Sequence, residues 1–527
     1  MNWSNLLSDF RLRESTRTPD SRNSFESDFG RIIFSPATRR MHDKTQVFPL
    51  TADDNIHSRL THSMEVMAIG HSLGIKVCED AAFVQKLGRD TTQLYREIPI
   101  VLKNACLLHD IGNPPFGHFG EAVFQNYFKN YFEINPNFKL SNDNEEDKLR
   151  KEDFTFFDGN AQGLRVITKL QILNDKYGLN LTVATLGAYV KYPNSSEKNN
   201  AVIHKKKRGI FQSEVEYYNQ IAQECGLKIE NEYVRHPLCY LMEAADSICY
   251  LTMDIEDGYN KGWYDFDFIV EKLSHVSEIK ESAAKIKGAN IGPRAEITWM
   301  VKFRIELISR LVALATKNFL NNYEKIIAGE YNDELIADDS ENLAKELGKF
   351  CYNVVFTNRE ITSLELTGHS VVTGLLDIYI NFVFHKEEAY RNRAAGLISD
   401  SIIQVAIEEN KQAIFTQKRQ KLEEKKEKET DPEKKAKIEK DCTDVDALFV
   451  ALKQLDNELS TETDGEKIKS LKYNLLEVET KICKIISPSL DDLDNYYKLR
   501  VIVDFISGMT DQFALSHYQK LSGQKIS

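Results

Sequence analysis

Leu107-Leu108-His109-Asp110-Ile111-Gly112-Asn113-Pro114-Pro115-Phe116-Gly117-His118-Phe119-Gly120-Glu121 is the stretch on which the reading of this chain turns. An apolar run (Val101-Leu102, Ala105, Leu107, Leu108) leads into it, and Gly112 with Pro114-Pro115 stops the run, as a helix is stopped. The His-Asp pair therefore falls at a helix end. Neighbours on a helix point about 100° apart, so two such side chains share one ion most easily near a terminus. An isolated His-Asp dipeptide arises readily by chance. The Gly and Pro residues that follow force a tight loop, which delivers a second imidazole, His118, with a carboxylate, Glu121, three residues on. A carboxylate-oriented imidazole is a common proton-transfer arrangement.

Helical spacing continues on both sides. Leu60, Met64 and Met67 recur three to four apart, as on one helix face. Between Ile297 and Asn318 no Gly or Pro intervenes, and Val301, Ile305, Ile308, Val312 and Ala315 repeat the spacing, which predicts one long, partly buried helix. Gly (25) and Pro (12) are sparse and strand-like alternation is rare, so the expected class is all-α. Two segments depart from this. Asn142–Asp153 is polar and charge-dense and reads as a surface loop. From Gln417 to Asp441 the chain is mostly Lys, Glu and Gln, interrupted by Asp431-Pro432, and reads as a solvated helical hairpin laced with ion pairs. The 527 residues allow one to three domains. The expected division is a core over 1–410, with its motifs in 59–260, a charged helical insertion over 411–475, and a C-terminal helical segment over 476–527 that packs back on the core.

Composition narrows the function classes. Lys+Arg 68 against Asp+Glu 80 gives a net charge of −12, unlike the basic footprint of a dedicated nucleic-acid binder. Eight cysteines lie scattered with no CxxC pair, which disfavours a disulfide scaffold or a Cys-ligated zinc site. No apolar run approaches the ~18 residues that span a bilayer, and the start lacks an apolar signal region. The expectation is a soluble, cytoplasmic protein without membrane contact.

Two further positions carry ligand chemistry. His62 sits in Arg59-Leu60-Thr61-His62-Ser63, at the start of a helical stretch. Asp246 stands in an otherwise small and apolar helix, Glu243–Tyr250, with Asp254 two turns on and Tyr250 between them. A buried Asp needs a partner, and either a hydrogen-bond donor or a metal ion satisfies it.

The order H…HD…D, as His62, His109-Asp110 and Asp246, resembles the metal-binding signature of the HD phosphohydrolase superfamily. The chain is more closely similar to the deoxyguanosine triphosphate triphosphohydrolases (dGTPases). That similarity rests on Arg31–Phe48, Arg59–Val66, His109–Glu121, Phe157–Arg165 (FDGNAQGLR), Lys191-Tyr192-Pro193, Phe211–Glu214, Glu243–Asp257 and Arg500–Asp511 (RVIVDFISGMTD), in family order. It implies an HD-domain helical core with added helices and a charged insertion. His62, His109, Asp110 and Asp246 become the ligands of a divalent metal. Two imidazoles and two carboxylates suit Mn²⁺ or Mg²⁺, with Fe²⁺, Co²⁺ and Zn²⁺ admissible.

The implied reaction cleaves between the 5′-oxygen and the α-phosphorus of dGTP or another dNTP, releasing deoxynucleoside and triphosphate. His118 and Glu121 match the catalytic pair. Arg59, Lys191 and Tyr192 match the phosphate-binding positions, while Gln46, Tyr250 and Asp254 match positions around the sugar. A tyrosine ring on the C2′ face leaves no room for a 2′-hydroxyl. Asp158 stands where Glu is expected, Ser247 where a second Asp is common, and Asn113 where the animal branch has His.

Two readings compete. An HD phosphohydrolase of another nucleotide, such as a 5′-nucleotidase or a guanosine alarmone hydrolase, would use the same ligands, although the GNAQG, KYP and ISGMTD segments argue against it. A catalytically dead sensor or nucleic-acid-binding module is disfavoured because every ligand and the His118–Glu121 pair are present. The basic run His204-Lys205-Lys206-Lys207-Arg208 reads as a solvated loop, or else as a contact for single-stranded DNA or the triphosphate. Family resemblance further implies a homo-oligomer, hexamer or tetramer, and allows an allosteric dNTP.

Overall fold

Ser58 starts the helix that carries His62. Its hydroxyl accepts the Thr61 N–H and the Thr61 hydroxyl accepts the Ser58 N–H, a reciprocal cap that opens α1 (Arg59–Cys78). Asp90 caps α2 (Thr91–Leu108), the helix that runs into the His-Asp pair. α1 and α2 pack on each other more extensively than any other pair of elements. The loop after α2 leads to α3 (Gly117–Ile134), followed by α4 (Asn144–Thr155) and α5 (Gly159–Arg165). Pro237 at the first turn and His236 as N-cap begin α6 (Pro237–Asn260), which packs against α1, α2 and α7 (Ala295–Asn321). The only strands among the described residues are β1 (Lys228–Ile229) and β2 (Glu232–Tyr233), a two-stranded antiparallel ribbon. The expected all-α class therefore holds.

The computed structural model describes residues 1–13, 21–50, 55–171, 178–289, 295–340, 342–462 and 464–524. The chain divides into two compact units, one of Met1–Ile378 with Asp504–Ser527, the other of Tyr379–Val503. The lines drawn from sequence at 410/411 and 475/476 fall inside continuous helices of the second unit. Those helices are α8 (Asp400–Lys428), α9 (Pro432–Thr461) and α10 (Gly465–Ile486). α8 and α9 form the charged hairpin expected over Gln417–Asp441, turning at Asp431-Pro432. Ile407, Ile414, Phe415, Val445, Leu452 and Ile482 fill the seam of this unit. No helix among the described residues is long and apolar enough to cross a membrane.

Three local expectations need correction. Asn142–Asp153 is not a loop, because most of it lies in α4. Asp143 accepts the N–H groups of Glu145 and Glu146, and the i,i+4 pairs Glu146–Arg150 (2.7 Å) and Asp147–Lys151 (2.9 Å) bind successive turns. Phe154 anchors its end in the core. In α1 the helix forms as expected but on another face, since Val66, Leu73 and Val77 are buried while Met64 is 49% exposed. In α7 the expected Val312 and Ala315 are buried and Ile308 is half-buried, but Ile305 is 57% exposed, and Met300, Phe303, Leu307 and Leu311 complete the buried stripe. Both helices have apolar residues on more than one face, so periodicity alone did not choose the inward one.

Candidate active site

α1, α2 and α6 cross so that His62, His109 and Asp246 offer ligand atoms all within 4.8 Å of one another. His62 Nε2 lies 3.3 Å and His109 Nε2 3.4 Å from Asp246 Oδ1. The two rings meet edge-on with centroids 5.3 Å apart. His109 Nδ1 is 2.7 Å from the Cys106 carbonyl oxygen, to which it donates. That bond fixes the ring and leaves Nε2 facing the carboxylates, where it is buried without a hydrogen-bond partner. Burial works against a charged ring, but Asp110 and Asp246 outweigh it and push His109 up to about 9. Burial likewise opposes ionisation of Asp246, yet His109 and His62 hold it well below the usual carboxylate range. An orphaned imidazole nitrogen facing two carboxylates is a donor set that fits a divalent cation, and binding would displace the imidazole proton.

Asp110, the fourth expected ligand, is engaged differently. Its Oδ2 is 3.5 Å from His109 Nε2 but is ion-paired with Arg59 Nη1, while Oδ1 accepts from Asn113 Nδ2 at 2.6 Å. Arg59 is itself buried, with Nε unpartnered. A guanidinium so placed can exchange a carboxylate for phosphate oxygens.

The loop between the pair and α3 is tightly specified. Phe116 and Gly117 both take left-handed conformations, at φ 63° and 57°. A side chain at Gly117 would strike Arg59 Nη2 at 2.5 Å, which leaves only glycine there. α3 then presents His118 Nδ1 at 3.0 Å from Glu121 Oε2. Glu121 is buried whereas the His118 side chain is 75% exposed, so the imidazole projects outward from its anchor. The Glu121 carboxylate raises the pKa of His118. Burial opposes ionisation of Glu121, but His118, Lys207 and the Gly159 N–H together lower it.

Lys191 lies 3.9 Å from Asp246 Oδ2 and 3.3 Å from Glu243 Oε1, with its ammonium 5.8 Å from the Tyr192 ring. Arg235 pairs with Glu243 at 2.8 Å and donates to the Lys191 carbonyl at 2.7 Å, which fixes that segment. Half-buried Tyr250 and buried Asp254 follow Asp246 on α6, one and two turns on. Burial, with Asp257 beside it, pushes Asp254 well above the carboxylate range. Gln46 Oε1 is a buried acceptor without a partner.

Several supporting residues escaped the sequence. Lys44, fully buried, donates to the Asn113 carbonyl at 2.5 Å and the Ser507 carbonyl at 2.9 Å. Asp511 accepts the Phe116 N–H at 3.0 Å and the Thr45 N–H at 3.1 Å, so the ISGMTD segment clamps the loop. Asp504 holds Arg165 (2.8 Å) and Gln162 (2.9 Å) of the GNAQG helix. His57 bridges Asp257 at 2.7 Å and Glu65 at 3.2 Å, tying α6 to α1. The basic run divides: Lys205 pairs with Glu232 at the surface and Lys206 is exposed, whereas Lys207 meets buried Asp158 and buried Arg208 pairs with Glu152.

The HD domain family matches residues 59–154, the span that holds His62, the His-Asp pair and the His118–Glu121 pair. The phosphohydrolase-associated domain matches residues 468–520, including Asp504 and Asp511. A deoxyguanosinetriphosphate triphosphohydrolase-like protein of Listeria innocua is 37% identical over 428 residues, covering 76% of this chain and 90% of its own. One of Synechocystis is 34% identical over 425 residues, covering 78% and 93%. A deoxyguanosinetriphosphate triphosphohydrolase of Klebsiella pneumoniae is 29% identical over 540 aligned positions, 94% of this chain and 93% of its own. With the metal-type cluster and both domains in place, the chain is a hydrolase of the HD-domain deoxyguanosinetriphosphate triphosphohydrolase-like family.

Proposed function

We propose that the protein hydrolyses deoxynucleoside triphosphates, dGTP foremost, to deoxynucleoside and intact triphosphate in a divalent-metal-dependent reaction. The observation that carries this is the His62–His109–Asp246 cluster with the His118–Glu121 pair on the helix that follows the His-Asp loop. His62, His109, Asp110 and Asp246 would hold Mn²⁺ or Mg²⁺, or else Fe²⁺, Co²⁺ or Zn²⁺. Such an ion supplies Lewis-acid polarisation of a phosphate oxygen and a lowered pKa for bound water.

The chain's own groups supply the rest. Arg59 offers a planar fork and Lys191 a point charge to the phosphates, with Tyr192 beside them. A 5′-alkoxide is a strongly basic leaving group and needs a proton as it departs. His118 carries one: Nδ1 is held by Glu121, which favours the charged ring and leaves Nε2–H as the donor. Tyr250 packs on the C2′ face and rejects ribonucleotides, while Gln46 and Asp254 bond the 3′-hydroxyl. The same reading makes the enzyme a cytoplasmic homo-oligomer, hexamer or tetramer, open to an allosteric dNTP.

The test is turnover of each of the four dNTPs and of GTP, singly and in mixtures, with Mn²⁺ and with Mg²⁺, followed by ion-pairing chromatography. The expected products are deoxyguanosine and tripolyphosphate, with GTP a much poorer substrate. Release of orthophosphate or a nucleoside monophosphate instead would assign the chain to another nucleotide hydrolase.

A further inference from the structure

Lys44 is a buried ammonium with no carboxylate paired to it among the described residues. It bonds instead to backbone carbonyls of two distant segments. One is Asn113, at 2.5 Å, in the loop after the His-Asp pair; the other is Ser507, at 2.9 Å, the last residue of a helix within the phosphohydrolase-associated match. The last carbonyls of a helix lack partners inside it, so a cation is well placed there. Asp511 and Asp110 attract the ammonium from further off, and Arg40 and Arg59 oppose them. The Asn113 end of this bridge leads to the metal-type cluster. A side chain on Gly159 would strike Asn113 Oδ1 at 2.0 Å, so that edge of the amide is walled by backbone. The other edge, Nδ2, donates to Asp110 Oδ1 at 2.6 Å. With Oδ1 so held, Oδ2 lies 3.5 Å from His109 Nε2. The Lys44 carbonyl accepts the Arg59 N–H at 2.9 Å, and Arg59 is the other partner of Asp110. Both groups that hold the Asp110 carboxylate are thus tied to one lysine.

We propose that Lys44 is a positioning residue for the metal centre, acting through Asn113 to fix the Asp110 carboxylate as a ligand and through Ser507 to make that position depend on the phosphohydrolase-associated segment. The proposal rests on the reading of Asp110 as a metal ligand. Asn113 carries two bonds in series, one received at its carbonyl from Lys44 and one given by its amide to Asp110. Without the ammonium the Asn113 peptide is free to turn, and its amide leaves Asp110 with it. Groups behind a ligand set its orientation in this way. Asp511 still accepts the Thr45 and Phe116 N–H groups, so the loop stays docked while Asn113 loses its aim. The competing role is a plain fastening of the loop to the C-terminal segment, with no effect on Asp110.

The experiment measures the Mn²⁺ affinity of the full-length protein, without nucleotide, from the electron paramagnetic resonance signal of free Mn²⁺. It compares the parent with Lys44→Met, Asn113→Ala, the double variant and Asp110→Ala, and records each melting temperature. Lys44→Met keeps an unbranched side chain and removes the donor. Its Kd is expected to rise about 10–100-fold, the usual cost of losing a group that orients a ligand. Asn113→Ala should cost a similar factor. The double variant should bind no more weakly than the weaker single one, since both changes act on one carboxylate, and Asp110→Ala should bind more weakly than any of these. A plain fastening gives another pattern: losses that multiply in the double variant, or a lowered melting temperature with Mn²⁺ affinity unmoved, and either overturns the proposal. If Lys44→Met fails to fold, Lys44→Gln, which keeps a neutral donor of shorter reach, carries the same comparison with a smaller rise in Kd. A parent that binds no Mn²⁺, or an Asp110→Ala variant that binds it normally, would remove the ligand reading and this proposal with it. Normal binding by the parent and a loss in Asp110→Ala, with Lys44→Met unmoved, would remove the Lys44 assignment alone.

Discussion

Helix α6 and the α8–α9 hairpin draw on the same charged residue types and place them oppositely. On α6, Glu243, Asp254, Glu256 and Asp257 are each less than 10% exposed, and Asp246 is half-buried. Four of the five have identified partners: Arg235 and Lys191 for Glu243, His62 and His109 for Asp246, Arg304 for Glu256, and His57 for Asp257. The fifth, Asp254, has its pKa raised by burial and by the neighbouring Asp257. On the hairpin the charges lie in water, as in Arg419–Asp446, where the two side chains are 40% and 46% exposed. Desolvating a charge costs several kcal/mol before pairing offsets it, so stability alone does not explain five acids on one interior helix. The hairpin's charges keep a marginally apolar pair of helices solvated.

The strongest way to break this contrast is to remove a ligand from the interior cluster. His109→Ala and Asp246→Ala should each abolish metal binding and hydrolysis while keeping the helical fold, with some stability lost as the remaining groups stay buried and less well compensated. Metal stoichiometry with activity measures this, and full activity with stoichiometric metal in either variant would remove the metal-site assignment.

Next in size is the pair on α3. His118→Ala should lower kcat by roughly 10²–10⁴ with metal content retained. Glu121→Ala should act in the same direction less severely, and the double variant should resemble His118→Ala, since residues acting as one unit are not additive. If His118 merely packs the loop, metal binding and melting temperature will fall together and the single-turnover rate of loaded enzyme will stay normal.

A third step separates orientation from chemistry. Arg235→Met removes the fully buried partner of Glu243 and leaves it only Lys191, which should cost up to about 3–5 kcal/mol in denaturant unfolding. A loss as small as that of a surface pair would show that the α6 network is not desolvated as the structure has it.

His57 gives the contrast a pH signature. Burial would lower its pKa, but bonds to Asp257 and Glu65 raise it from the ordinary 6.5 to about 10. A pKa raised on folding stabilises fully below the unfolded value, and the gain is lost as pH rises through the folded value. The stability difference between the parent and His57→Gln should therefore be largest below pH 6.5 and vanish above pH 10. A difference that instead grows toward high pH would contradict the charged bridge.

What the sequence made legible follows the same division. The His109-Asp110 pair, His118 and Glu121 stood out through the Gly and Pro residues after the pair and Asp246 through its apolar neighbours, whereas His62 was picked out as a ligand only by the family order of motifs. Lys44, His57, Asp504 and Asp511 could not, since each acts through partners that only tertiary packing brings near; Lys44 and Ser507 are joined across 463 positions. Lys207 was hidden differently. It sits in a basic run whose local chemistry is that of a solvated loop, and only the approach of Asp158 turns it inward. Helix existence was legible throughout most of the chain, while the inward face of α1 was not and that of α7 only in its C-terminal half, where Val312 and Ala315 are buried. α4 was misread because its buried anchor, Phe154, lies just beyond the charge-dense stretch that looked like a loop.

The smallest expected effect completes the contrast. Arg419 Nη2 lies 3.2 Å from Asp446 Oδ2 and 3.3 Å from Glu423, so it looks like a knot between α8 and α9. Its partners are as exposed as it is, so little desolvation is recovered, salt screens the attraction, and ordering three long side chains opposes it. What joins the helices is the buried seam, including Leu452 at 1% exposure and the Phe415–Phe449 ring pair at 5.8 Å. Arg419→Ala should therefore leave melting temperature, metal content and kcat unchanged at physiological salt. Leu452→Ala should destabilise this unit by roughly 2–5 kcal/mol through the cavity it leaves. Should Arg419→Ala melt markedly earlier and Leu452→Ala not, the hairpin would be held by its charges after all, and the division drawn between the two regions would fail.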